Sequence, residues 1–263
     1  MPLQLEFDPG FSIRLLPDAL AFEYGPGVFG PEPEMRRMDA IRPSLRDPSC
    51  SGPDPVYGIA MDIGRTVDRP LLEQRMLLYG AVVYAAGTLG AEPVRSQGHI
   101  HAVAAHSGWS PPEVYEIWSG TAIVYAQQRA EDDPGRCIAV LARAGAQVVV
   151  PPGWAHCVIN ADPQCRMAFG AWCDRQYGFD YVGVRAHRGL AWFPVLTASG
   201  SIGWQANPQY RKSVLERHEP RAYPELGLDA SRSLYRQFVR DPESVMFVAD
   251  PQRAADRWPG FAP

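Results

Sequence analysis

Hydrophobic and polar positions divide the chain into three unlike stretches. From about residue 56 onward, short β-branched, aromatic or small apolar runs follow one another: MLLYGAVVYAAG, EVYEIWSG, TAIVYAQQR, RCIAVLAR, AQVVVPPG, HCVINAD and RMAFGAWC. Each is bounded by Gly, Pro, Asp or Ser, and that rhythm predicts a β-sandwich or barrel. EVYEIW and TAIVYA, on either side of Ser119-Gly120, read as a hairpin. Residues 1–55 hold ten prolines, from Pro2 to Pro55, and read as an irregular arm with a helical turn near PEMRRMDAI. Beyond about Tyr210 polar residues return, and DASRSLYRQFVRD predicts a helix with Asp229 or Ser231 as its N-cap. The expected organisation is an N-terminal arm over 1–55, a barrel over 56–211 and a partly helical C-terminal extension over 212–263. No internal repeat is visible.

Composition narrows the chemistry. The 24 glycines and 26 prolines suit many turns and short strands rather than helix bundles. Of the 25 basic residues only Lys212 is a lysine, and no Gly-Lys pair exists, which excludes a phosphate-cradling P-loop. Lys212 lies in a polar stretch, unsuited to Schiff-base chemistry. The net charge of −4, without a basic block, argues against a nucleic-acid partner. Cys50, Cys137, Cys157, Cys165 and Cys173 contain no Cys-x-x-Cys pair, so zinc-finger and dithiol chemistry are not expected and free thiols are. The start MPLQLEFDPG has no basic-then-apolar leader, and the apolar stretch from Met76 to Ala91 is too short and glycine-broken to span a bilayer. The expectation is a soluble, cytoplasmic protein without membrane contact.

The histidines supply the candidate chemistry. His99 and His101 stand at i and i+2, so on a strand they share one face. Glu113, Tyr115 and Ile117 share a face of a later strand, and a carboxylate buried there needs a charged partner or a metal. The rigid Pro151-Pro152-Gly153 turn then delivers His156 into its strand. Three neutral imidazoles and one carboxylate suit a divalent transition metal with coordination positions left for substrate. His106 and Glu116 are lesser candidates for the carboxylate's place, and His187 and His218, in polar stretches, read as surface residues.

These residues fall into a known arrangement. G-x5-P-x-G-x2-H-x3-N, from Gly145 to Asn160, resembles the second cupin motif, and His99, His101, Glu113 and Gly120 resemble the first. The eleven residues AVAAHSGWSPP between His101 and Glu113 make a longer insertion than cupins usually carry, which is thermodynamically cheap in a loop. Within the cupins, the chain resembles the archaeal-type glucose-6-phosphate isomerase family. That likeness rests on Ser96-Gln97-Gly98-His99-Ile100-His101, Glu113-Val114-Tyr115, Val150-Pro151-Pro152-Gly153-Trp154-Ala155-His156, Asp180-Tyr181 with Arg188-Gly189-Leu190, and Asn207-Pro208-Gln209-Tyr210.

The resemblance implies an all-β cupin double-stranded β-helix, or jelly roll, forming a cytoplasmic homodimer. It implies metal-dependent interconversion of glucose 6-phosphate and fructose 6-phosphate, a step of glycolysis and gluconeogenesis. Carried over, the metal ligands are His99, His101, Glu113 and His156, and the substrate contacts are Ser96, Gly98, Trp172 and Tyr181. The implied cofactor is one divalent transition metal per chain, iron first, with manganese, nickel or zinc as alternatives. Glu113 is the candidate for proton transfer, with a hydride shift as the other route, and Tyr115 the candidate to orient it. Three positions depart from the family: Gln97 stands where a lysine is common, Trp172 where a tyrosine is, and Phe179 where a histidine precedes Asp-Tyr. With Gln97 there, Ser96, the Gly98 amide and Arg95 are the remaining candidates to bind phosphate. A cupin dioxygenase and a non-catalytic sugar-binding cupin are the alternatives.

Overall fold

The computed structural model describes residues 3–263. One sheet runs in the order Gln147–Val150, Glu113–Ser119, Met167–Asp174, Leu77–Tyr84, Tyr57–Met61 and Glu34–Arg36, every pair antiparallel. Facing it are Ala155–Asn160, Thr121–Gln127, Cys137–Arg143 and Leu215–His218, the last added in parallel. The two sheets close over an apolar interior as a cupin β-barrel, the fold the short-strand rhythm predicts. Among the described residues no helix is long and apolar enough to cross a membrane.

Ser119-Gly120 is not a hairpin turn. Glu113–Ser119 has both edges occupied, by Gln147–Val150 and Met167–Asp174, and Thr121–Gln127 is likewise flanked by Cys137–Arg143 and Ala155–Asn160. The chain therefore steps at Gly120 from one sheet to the other. Gly120 has φ +77°, and a Cβ there would lie 3.1 Å from the Arg166 carbonyl oxygen, so the corner needs glycine. A hairpin would have displaced one of the two partners that each of these strands has.

Strand alternation sorts side chains between two cores. Tyr115, Ile117, Phe169, Ala171, Val82 and Tyr84 fill the barrel. Val114, Trp118, Trp172, Tyr79 and Val83 point outward, where Phe11 and Ile13 of the arm and Tyr235, Phe238 and Val245 of the tail cover them. The tail helix spans Leu234–Arg240, and its cap is Ser233, whose side chain accepts from Arg236 N. Asp229 instead closes the turn before it, accepting from Ser231 N at 3.0 Å.

Glu116 joins barrel and tail. Its carboxylate is fully buried on the outward face and accepts from Leu234 N (2.7 Å), Trp118 Nε1 (3.2 Å) and Gln147 Nε2 (3.5 Å). Burial dominates these donors and pushes its pKa up to about 8. Between the ordinary carboxylate range and that value the folded protein holds a proton that the unfolded chain has released. The contribution of Glu116 to stability must therefore fall as pH rises across this window, by an amount on the order of a few kcal/mol. Glu116→Gln mimics the protonated form and should flatten the slope. Urea midpoints at pH 5 and pH 8.5 check this: a variant that loses as much stability as the parent over that range refutes it.

Candidate metal centre

His99, His101, Glu113 and His156 converge inside the barrel, with one ligand atom from each lying within 4.8 Å of the others. Three different pairings bring them there. His99 and His156 exchange backbone hydrogen bonds, His99 N to His156 O at 3.0 Å and His156 N to His99 O at 2.9 Å. His101 lies on the short strand Ile100–His101, paired with Phe179–Asp180. Glu113 begins its strand opposite Val150, next to the Pro151-Pro152-Gly153 turn. Gly98 precedes the pair at φ +90°, and a Cβ there would strike Leu190 at 2.9 Å, so this approach to His99 admits glycine alone.

The donor set fits a cation. His101 Nδ1 faces the Pro111 carbonyl at 3.0 Å and His156 Nδ1 the Trp154 carbonyl at 2.9 Å. Those acceptors place the ring protons on Nδ1 and turn the Nε2 lone pairs inward. His99 Nε2 and His101 Nε2 are buried without a hydrogen-bond partner, the latter 3.3 Å from Glu113 Oε2 but not bonded to it. His156 Nε2 is 3.1 Å from the same oxygen. Lone pairs facing lone pairs in a dry interior call for a positive ion between them.

Protonation agrees. Burial, reinforced by the neighbouring His156 and His101, holds His99 well below its ordinary pKa, as a neutral imidazole. Burial alone would protonate Glu113, but His101 and His156 beside it outweigh that and hold its carboxyl well below the usual range. For His101 burial opposes the proton, and the Glu113 carboxylate and Pro111 carbonyl overcome it and raise the pKa.

Tyr115 donates its hydroxyl to Glu113 Oε2 at 2.6 Å, and the Cys173 thiol reaches Glu113 Oε1 at 3.2 Å. Burial and the Glu113 charge push both the Tyr115 and Cys173 pKa values well above their usual ones, so each stays a donor. Sequence reading did not single out Cys173; it shares the inward face with Ala171 and Phe169, in a run whose even burial gives the sequence no mark of that face.

Ser96, Gly98, His99, Glu113, Tyr115 and Tyr181 all line one cavity. Trp172 does not. It is fully buried on the outer face of its strand, 4.5 Å from the Tyr79 ring and 5.1 Å from Phe238, because strand parity sends its neighbours Ala171 and Cys173 inward instead. Glu116, on the outward face, is likewise removed from the metal cluster. His106 sits in the 102–112 insertion and bonds Asp174 Oδ2 at 2.6 Å, pinning that loop to the end of the Met167–Asp174 strand. The insertion is therefore a support, since its Pro111 carbonyl orients His101. Arg95 is buried against Glu92 at 2.8 Å and the Ser44 carbonyl at 2.6 Å, which commits its guanidinium to structure. His187 stacks on Tyr210 with ring centroids 4.3 Å apart, half-buried rather than free on the surface.

A jelly-roll barrel with three histidines and a glutamate gathered at its interior defines a cupin. The chain belongs to the glucose-6-phosphate isomerase (GPI) family, whose model matches residues 45–211. No curated protein sequence matches. Among solved structures the chain is similar to an oxalate oxidase, at 17% identity over 48% of this chain and 55% of that one, with TM-score 0.37. It is also similar to a mutant of Bacillus subtilis oxalate decarboxylase (14% identity, 50% of this chain, 27% of that one, TM-score 0.33). Vicilin from Corylus avellana, hazelnut, gives 12% identity over 48% of this chain and 32% of that one, with TM-score 0.35. In each case the match spans well under two thirds of the other protein.

Proposed function

We propose that the protein is a metal-dependent aldose–ketose isomerase interconverting glucose 6-phosphate and fructose 6-phosphate, with the metal held by His99, His101, Glu113 and His156. The observation that carries this reading is the convergence of unpartnered imidazole nitrogens on an ionised carboxylate, in a chain of this family. A divalent metal, when bound, supplies Lewis-acid stabilisation of charge developing on the sugar oxygens. Glu113, ionised and reachable from the cavity, is the group to take a proton from the carbon beside the carbonyl and return it to the neighbouring carbon. Tyr115 and Cys173 each hold one carboxylate oxygen, which fixes the plane in which Glu113 meets the substrate. The apolar wall formed by Val82, Phe169 and Ala171 keeps bulk water from the transferring proton. A homodimer belongs to the same proposal, and light scattering measures it.

The test is a coupled assay of fructose 6-phosphate to glucose 6-phosphate, on chelator-stripped protein reloaded with iron, manganese, nickel or zinc in turn. Activity should vanish on stripping and return with at least one metal. Absence of turnover with every metal refutes the reading. One observation favours a second. The cavity's free space is only about 50 Å³, enough for an ion and a few waters but less than a hexose phosphate. A smaller substrate oxidised by a cupin dioxygenase asks for less rearrangement of that space, and oxygen consumption by the iron-loaded protein distinguishes it.

A further inference from the structure

Gln97 follows Ser96, and the sole lysine, Lys212, is not part of the cavity wall. The fold instead brings a cation in from the N-terminal arm. Arg36 ends the strand Glu34–Arg36, directly opposite Tyr57, and its side chain lines the same cavity as His99, Glu113 and Tyr181. Among the described residues of that lining it is the only arginine. Strand pairing sets it beside Tyr57, in one cavity lining with His99 and Tyr181.

Its present partner is replaceable. Arg36 Nη1 pairs with Glu34 Oε1 at 2.5 Å, but the Glu34 side chain is 67% exposed whereas that of Arg36 is 24% exposed. A surface carboxylate facing water holds a guanidinium weakly, and a phosphate dianion offers it a bidentate, doubly charged alternative. A second guanidinium lies beyond the same tyrosine: Arg185 sits 4.8 Å from the Tyr181 ring centroid, and its Nε donates to Gln97 Oε1 at 3.1 Å. Gln97 thus positions an arginine rather than itself supplying charge.

We infer that Arg36 is the residue that recognises the substrate's phosphate, exchanging Glu34 for the dianion at the cavity mouth, with Arg185 adding charge from the far side of Tyr181. This rests on the isomerase reading for its substrate but not for its anion.

The test uses full-length, metal-loaded protein with fructose 6-phosphate and inorganic phosphate as probes. Arg36→Ala should raise KM for fructose 6-phosphate about 10- to 100-fold, the range of a charged hydrogen bond to an anion, while kcat falls far less. Arg36→Lys should recover part of that loss. Glu34→Gln, which frees the guanidinium, should lower KM about 2- to 5-fold, a gain that a merely damaged arm does not produce. An unchanged KM in Arg36→Ala, with the parent protein active, overturns the inference and leaves the isomerase reading standing. If the parent turns over no hexose phosphate, thermal shift with inorganic phosphate decides instead. A rise in Tm that Arg36→Ala abolishes supports anion recognition although the isomerase reading has failed. A rise equal in both proteins, or absent from both, overturns it.

Discussion

Glu113→Ala should reduce turnover of fructose 6-phosphate by about 10²- to 10⁴-fold, the contribution of a positioned general base. The same change should lower the metal bound per chain, because the carboxylate is the one anionic member of the cluster. The two effects separate experimentally. Elemental analysis reads metal content, while assay at saturating metal reads what proton transfer has lost. Formate added to the alanine variant should restore part of the rate, since the vacated space lies between the Tyr115 hydroxyl and the Cys173 thiol, both donors. Parent-like turnover in Glu113→Ala at full metal occupancy would remove Glu113 from the mechanism and favour a hydride shift.

Trp172→Ala should destabilise the protein by about 3–5 kcal/mol, as loss of a buried tryptophan does. For a chain of this size that lowers Tm by roughly 10 °C. Trp172 stacks on Tyr235 at an interplanar angle of 14°, and its Nε1 donates to the Leu234 carbonyl at 3.4 Å. The damage therefore falls on the junction of sheet and tail. KM for the sugar phosphate, measured well below the new Tm, should stay within about twofold of the parent value, as expected of a residue with no contact to the cavity. A raised KM with unchanged Tm would return Trp172 to the substrate site.

The two variants together show what the sequence discloses and what it hides. The cluster of His99, His101, Glu113 and His156 is readable because His-x-His, the glutamate and the Pro-Pro-Gly turn each restrict backbone and side chain locally. The short strands were readable for the same reason. The side on which Trp172 lies was not, because arm and tail bury the outward faces and erase the polar half of the alternation. MAFGAWCD is buried at all eight positions, so parity alone does not say which face is the barrel's. The same double burial led to the hairpin expectation at Gly120, where both strands had partners distant in sequence. Arg36 carried no signal in a proline-rich arm. Its role arises from the pairing of Glu34–Arg36 with Tyr57–Met61, which carries it over a cavity whose lining is spread along the chain from Tyr57 to Tyr181.

The slab of aromatic rings beneath the tail has a practical consequence for anyone trimming this gene product. The family-matched segment, residues 45–211, looks like a natural unit to express alone. Cut there, it would present Tyr79, Trp118 and Trp172 to water and leave the Glu116 carboxylate without the Leu234 amide that caps it. An apolar patch of that kind drives self-association. The parts outside the family match are thus a built-in lining, and the recognisable barrel is not a detachable module.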